Sequence, residues 1–278
     1  MIAFAGNSLL CRLALKQTAI DPTSFTFIRL LSGAIVLLIL GEVGRRLRAS
    51  SSSSLSHGNW FSALALFAYA SAFSFAYVTL SAGTGALLLF GAVQGTMIFW
   101  GWRRGERLRL KQLAGLTLAL AGLVLLLLPG LTAPPVRGSI LMISAGAAWG
   151  IYSLRGRAET DPARATTGNF VRAVPFAVIL SLAFWPWRNI DPAGAGYAAL
   201  SGAVASGLGY IVWYAVLPNL KAASAATVQL SVPALAATGG ILLLNEQLTW
   251  RLFVASIAIL GGIALVVTNP SKQQKRAS

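Results

Sequence analysis

Read from its first residue, the chain alternates long apolar blocks with short polar ones. Ten apolar blocks stand out: 1–15, 25–41, 60–80, 84–102, 112–129, 138–154, 167–186, 196–217, 224–244 and 250–268. Most are near the ~20 residues that a helix needs to cross hydrocarbon. Barrel strands would show ~10-residue stretches of strict apolar–polar alternation, which is absent. Runs such as Leu116 to Leu128 and Ser32 to Leu40 are apolar all round, as helices against lipid should be. Pro129, Pro134 and Pro135 punctuate a linker, and Pro270 ends the last block. The longest polar stretch, Glu42 to Asn59, is basic and serine-rich and reads as a flexible linker. No block is left for a folded domain outside the membrane. The first span would be only ~22 Å long as a helix, against ~30 Å of hydrocarbon. No charged region precedes it, so it does not read as a signal peptide, and the expectation is a true start upstream of Met1.

The blocks repeat. A shift of 140 residues lays Ala5-Gly6 on Ala145-Gly146, Glu106-x-Leu108 on Glu246-x-Leu248, and Ala121-Gly122 on Gly261-Gly262. With small length changes, Ile28-Arg29 falls on Val171-Arg172, and Tyr77-x-x-Leu80 on Tyr214-x-x-Leu217. The order of matches is the same in both halves, which predicts a duplicated five-span unit. The expected division is 1–136 for the first repeat, 137–270 for the second and 271–278 for a basic tail. Five is odd, so the second copy must be upside down. The fold class expected is therefore all-α integral membrane, ten transmembrane helices in two inverted five-helix repeats.

Charge supports the inversion. Arg103 to Lys111 carries five basic residues, and its repeat partner Leu243 to Arg251 carries one. Of the 22 Lys and Arg, fifteen fall in the connections after spans 2, 4, 6 and 8 and in the tail. Four fall in the connections on the other side. Under the positive-inside rule both termini are cytoplasmic, in a cell (inner) membrane. The net charge of +15 is thus topological first, and anionic lipid is a secondary partner. Its division among short loops argues against nucleic acid.

Composition closes several function classes. Hydrophobic residues make up 56% of the chain and charged ones only 10%, too few to cover a water-soluble surface. Cys11 is alone, so no internal disulfide exists. His57 is alone in the linker, so no metal cluster or Ser/His/Asp triad is expected. No cofactor is implied, and the chain does not read as an enzyme. The acids Asp21, Glu42, Glu106, Glu159, Asp161, Asp191 and Glu246 all fall in loops or at span ends. A proton relay would place one at mid-depth. Of the seven, Glu246 at the foot of span 9 comes nearest.

Several polar and aromatic side chains fall within the spans. Arg12, Arg29 and Arg172 are intramembrane charges, each costing several kcal/mol at mid-depth (~2.5–3.5 on insertion scales). Arg12 reads as snorkelling from a helix end. Arg29 and Arg172, at matching places in the repeats, read equally as anion contacts or as structural anchors. Tyr69, Phe73 and Tyr77 form a stripe at i, i+4, i+8 on span 3. Ser206, Tyr210, Trp213 and Tyr214 form one on span 8, and Trp149 and Tyr152 lie on span 6. Such a wall suits an amphiphilic solute, and equally suits interhelical packing. Asn7, Gln94, Asn169 and Gln229 carry amides that need a partner helix or a solute. Pro233 in span 9 frees a carbonyl and predicts a kink that can serve as a hinge. Gly91-x-x-x-Gly95 and Gly146-x-x-x-Gly150 permit close helix approach.

The chain resembles the drug/metabolite transporter superfamily, specifically its ten-span EamA-like group. The likeness rests on Asp21-Pro22 followed by Phe25-x-x-x-Arg29, and on Gly105-Glu106-x-Leu108 with Gly115 and Ala121-Gly122-x-x-Leu125. It rests also on their echo, Asn245-Glu246-x-Leu248 with Gly261-Gly262. The resemblance implies an exporting carrier that works by alternating access around a central cavity lined by spans 1, 3, 4, 6, 8 and 9. Spans 5 and 10 would be peripheral. Mapped here, the lining spans hold Asn7, Tyr69, Tyr77, Gln94, Trp149, Tyr152, Tyr210, Tyr214 and Gln229. Similar proteins export amino acids, other metabolites or xenobiotics, and distant ones move nucleotide sugars and phosphorylated sugars. Four-span multidrug relatives use a glutamate in span 1, and this span 1 has none. The expected partner is a small amphiphilic or anionic solute such as an amino acid. The rival readings are a lipid-facing flippase-like carrier, with Arg164 and Arg172 at headgroup level, and a membrane-embedded enzyme acting on a lipid-linked substrate.

Overall fold

The computed structural model describes residues 1–47, 57–105, 109–130, 133–156, 159, 161–216 and 228–268. Glu106, Pro270, the basic tail and most of the serine-rich linker lie outside the described residues.

Helices follow the apolar blocks: α1 Ile2–Gln17, α2 Pro22–Leu47, α3 Trp60–Tyr77, α4 Ala82–Arg103, α5 Leu110–Leu127, α6 Val136–Gly156 and α7 Pro162–Ala183. The eighth span, α8, is continuous but composite. It runs through Pro192–Leu200, a π-helical stretch Ser201–Leu208, and Gly209–Val216. The last two helices are α9, Ser231–Leu244, and α10, Trp250–Thr268. The protein is therefore an all-helical, multi-pass membrane protein. Seven helices are long and apolar enough to cross a membrane unaided. The other three, α1, α6 and α9, are short or rich in small residues.

The N-termini of α2, α7 and α8 are set by one device. Asp21, Asp161 and Asp191 each accept a hydrogen bond from a backbone N–H of the first turn, and proline follows each. Thr26 and Thr166 each bond back to the carbonyl of Pro22 and Pro162. These matched caps, 140 residues apart, fix the register of the repeats locally. They place Asn169, not Arg172, opposite Arg29.

Helix packing keeps its pattern when every helix is exchanged for the one five places on. The outer pair α5 and α10 pack along each other, as do α2 with α7 and α4 with α9. The contacts of α6 with α3 and α4 are matched by those of α1 with α8 and α9. Small residues allow the closest approaches. A methyl group on Gly146 would lie 2.5 Å from the Leu89 carbonyl, and one on Gly150 would lie 2.8 Å from Thr96 Cβ. The second glycine pair packs α6 on α4 as expected. Gly95 has nothing within 4 Å, so Gly91-x-x-x-Gly95 makes no such contact.

Six tryptophans mark the two edges of the apolar slab. Trp60, Trp100 and Trp102 are exposed at helix ends on the face where α1 begins and α10 ends. Trp185, Trp187 and Trp250 are exposed on the other face. Indole rings favour the headgroup level at both interfaces. The remaining two, Trp149 and Trp213, turn inward.

Candidate functional site: a closed central cavity

Where α1, α3, α4 and α6 meet, Phe4, Asn7, Tyr69, Phe73, Leu89, Phe90 and Trp149 enclose a cavity of ≈ 10 Å³, room for about one water. Phe4 is the hub of the aromatic wall, with ring centroids 6.2 Å from Trp149, 5.9 Å from Tyr210 and 6.1 Å from Trp213. Trp149 is itself 4.9 Å from Tyr69, 5.0 Å from Tyr210 and 5.4 Å from Tyr152. The stripes of spans 3, 6 and 8 thus converge on one point between the repeats.

A hydrogen-bonded chain runs from the cavity lining, through Asn7 and Tyr69, toward α2 and α8. Ser201 Oγ donates to Asn7 Oδ1 at 2.6 Å, and Asn7 Nδ2 donates to Tyr69 Oη at 3.2 Å. Arg29 Nη2 donates to the same Tyr69 oxygen at 3.0 Å, and Arg29 Nε donates to Ser206 Oγ at 3.3 Å. The π-helical stretch explains how α8 supplies both serines. Residues i and i+5 are well apart on an α-helix, but the wider π turn brings Ser201 and Ser206 toward one side. Gly202 lets that stretch touch α2, since a methyl group there would lie 2.0 Å from the Arg29 carbonyl.

Arg29 is 1% exposed, with its guanidinium 4.9 Å from the Phe73 ring centre and 5.1 Å from that of Tyr69. Its Nη1 has no hydrogen-bond partner among the described residues, and no described carboxylate pairs with it. Arg172 behaves differently. It donates to the carbonyls of His57 and Gly168, tying α7 to the segment before α3. It anchors. Arg164 pairs with Asp161 at 3.1 Å in the same helix turn.

On the Tyr77 side of the cavity an ion pair ties the ends of α1 and α9 to the start of α4. Arg12 Nε lies 3.1 Å from Glu246 Oε1, and Glu246 Oε2 accepts from the Ala82 N–H at 2.8 Å. Arg12 Nη1 also donates to the carbonyls of Tyr77 and Val78. The chain delivers Glu246 through Asn245, whose φ of 56° ends α9 in a left-handed cap, and the Glu246 N–H returns to the Gly240 carbonyl. Gly240 leaves room for the carboxylate to fold back, because a methyl group there would meet Oε2 at 2.5 Å. Arg12 therefore reaches inward to an acid rather than snorkelling alone.

The other expected residues are spread around this centre. Tyr77 is fully buried two turns from Tyr69, its hydroxyl donating to the Ala82 carbonyl beside the ion pair. Tyr152 is buried at the opposite end, beside Thr166 and Asn169. Gln94 is buried one turn beyond Phe90, with Nε2 unpartnered among the described residues. Gln229 is 9% exposed in the turn that precedes α9. The side chain of Tyr214 lies outside the described residues. Pro233 falls in the first turn of α9, where its missing N–H costs little, and the helix breaks at Leu230 just before it. Phe4, Ser201 and the π-helical stretch were not expected. Phe4 lies at i−3 from Asn7 and so on the same face of α1, a signal the sequence held.

Outside the spans, burial raises the Asp21 carboxyl, but hydrogen bonds from Ser24, Thr23 and Asn189 outweigh it and hold the group below its ordinary value. The Asp21 bond to the Asn189 N–H, 3.0 Å, also ties the α1–α2 connection to the one before α8.

Known proteins share both sequence and fold with this chain. An uncharacterized protein of Pseudomonas aeruginosa is 57% identical over 267 residues, covering 96% of this chain and 91% of that one. The threonine/homoserine exporter RhtA of Escherichia coli K12 is 35% identical over 145 residues, about half of each chain (49% and 48%). The uncharacterized transporter YoaV of Bacillus subtilis is 21% identical over 252 residues, covering 88% and 86%. A solved crystal structure superposes with a TM-score of 0.62 at 19% identity over 95% of both chains, which shows the shared fold. The EamA-like transporter family matches twice, over residues 1–128 and 136–268. The chain belongs to the EamA-like transporter family, and is a membrane transporter rather than an enzyme.

Proposed function

We propose that the protein exports a small amphiphilic solute with an anionic group, an amino acid being the simplest such molecule, by alternating access. Its repeats, 1–136 and 137–270, rock about the cavity, with both chain ends on the cytoplasmic side of the inner membrane. The observation that carries this reading is the cavity itself. An aromatic wall with an amide and a buried arginine behind it lies between the repeats, and an ion pair ties helix ends together on one side of it. Room for one water means a closed, empty state, and a solute enters only when one face opens. The likeness to a threonine/homoserine exporter over half the chain supports an amino-acid solute.

The test is uptake by proteoliposomes of the purified protein, using an amino-acid and organic-anion panel with and without an imposed ΔpH. Uptake of one solute class, lost in Gln94→Ala or Tyr210→Ala and surviving without ΔpH, is the expected result. A strict need for ΔpH would make Glu246 a proton carrier instead. Lipid scrambling without solute flux, in vesicles holding folded protein, would replace the reading with a lipid-facing carrier.

A further inference from the structure

We infer that Tyr69 donates the hydrogen bond, and Arg29 supplies the charge behind it, that receive the carboxylate of the transported solute. The inference rests on the carrier reading above and names the subsite within it.

The direction of each hydrogen bond carries the argument. The 2.6 Å contact between Ser201 and Asn7 has the length of an O–H···O bond and is short for an amide N–H, so it fixes the Asn7 oxygen on the Ser201 side. The Asn7 nitrogen then faces Tyr69 and can only donate. Arg29 also can only donate. A phenolic oxygen accepts at most two hydrogen bonds and donates one. Both acceptor positions of Tyr69 are filled, and its own proton has no acceptor among the described residues. Tyr69 and its donor Asn7 both line the cavity, and that proton is assigned to the cavity side.

Charge adds to direction. Arg29 is buried, unpaired with any described carboxylate, and retains a free Nη1. A cation in contact with the phenol oxygen polarises the O–H toward an anionic acceptor. Arg29 stacks on the Tyr69 and Phe73 rings that line the cavity, so its charge lies close to that space while staying buried. A carboxylate at Tyr69 would restore the missing counter-charge, while Phe4, Phe90 and Trp149 take the apolar part of the solute. A cationic solute would meet an uncompensated like charge.

Two measurements test this, one on flux and one on binding alone. Proteoliposomes take up radiolabelled L-threonine in competition with unlabelled L-threonine or its primary amide. Wild type should prefer the acid roughly 10- to 100-fold, the loss expected for one hydrogen bond to a charged group. Tyr69→Phe, which keeps the ring, should bring the two within about threefold while leaving the amide's inhibition unchanged. In detergent, isobutyrate should raise the melting temperature of wild type but not of Tyr69→Phe, and isobutyramide should raise neither. Wild type that treats acid and amide alike, or a Tyr69→Phe variant that weakens both equally, overturns the inference. Absent threonine flux with isobutyrate stabilisation intact would defeat the amino-acid carrier reading while leaving the carboxylate subsite standing. Absent flux with no isobutyrate effect defeats both.

Discussion

Removing Glu246 should open one face of the transporter, and the sole cysteine can report it. The Arg12 and Glu246 side chains are only 12% and 8% exposed, so both charges have lost most of their water. Truncating one partner of such a pair leaves the other uncompensated, at a cost of about 3–5 kcal/mol. Glu246→Ala also strands the Ala82 N–H. In an alternating-access cycle these costs fall on the state in which this face is closed, since water serves Arg12 and Ala82 once it opens. About 3 kcal/mol shifts that equilibrium roughly 100-fold toward opening. Cys11 is fully buried, next to Arg12 along α1, so opening of this face should bring its thiol to a reagent. The assay is maleimide labelling in proteoliposomes, limited by the opening equilibrium. Labelling should accelerate about 100-fold in Glu246→Ala, and adding Arg12→Gln should reverse much of that acceleration because the stranded charge is then gone. A rate within about threefold of wild type, in protein that remains folded by gel filtration, would refute the ion pair as a closing device.

Other substitutions separate packing from chemistry. Gly202→Ala pushes α8 off α2, because the new methyl meets the Arg29 carbonyl and Ser32 Oγ, and should cost at least about 1–3 kcal/mol in thermal unfolding. Gly196→Ala in the same span meets nothing within 4 Å and should be neutral or stabilise by up to about 1 kcal/mol. Asp21→Ala should cost about 1 kcal/mol at pH 7 through the lost helix cap. Because folding holds the Asp21 carboxyl below its ordinary value, that stabilisation is whole above about pH 4 and fades as the pH falls through the lowered value. The melting difference between wild type and Asp21→Ala should shrink accordingly. Arg172→Ala should lower melting while leaving the acid-over-amide preference intact, and Arg29→Gln should reduce that preference.

The fold was legible because a bilayer allows few solutions. Apolar blocks of span length, an odd repeat and a one-sided basic excess leave little besides two inverted five-helix units. The site was legible in type but not in arrangement. Tyr69, Trp149 and Tyr210 stand on helical stripes, so their convergence could be expected from period alone. The roles of Arg29 and Arg172 could not be separated that way, because a span interior carries no marker of depth. The caps at Asp21 and Asp161 supply that marker, and they set Arg29 against Asn169. The π-helical turn left no sequence trace beyond two serines five residues apart, a spacing that looks irrelevant on an α-helix. Glu246 read as a loop acid because its ion pair spans 234 residues of chain.

The register set by those caps also bears on how the proposed carrier would select its solute. Two inverted copies of one unit would, if identical, place equal charges on both sides of their axis. Here α2 contributes a buried cation, while α7 contributes Asn169, whose oxygen accepts the Asn59 N–H and leaves no charge. The scaffold is symmetric in its packing and asymmetric in its electrostatics. In the proposed cycle, symmetric packing would let either half serve as the moving wall, with inward and outward states of similar energy. Arg29, bonded to Tyr69 of its own repeat and Ser206 of the other, would supply the centre with a positive charge in that cycle. A solute with one carboxylate would neutralise that charge throughout the cycle, and a carrier must hold its cargo with nearly constant free energy while the barriers on either side exchange.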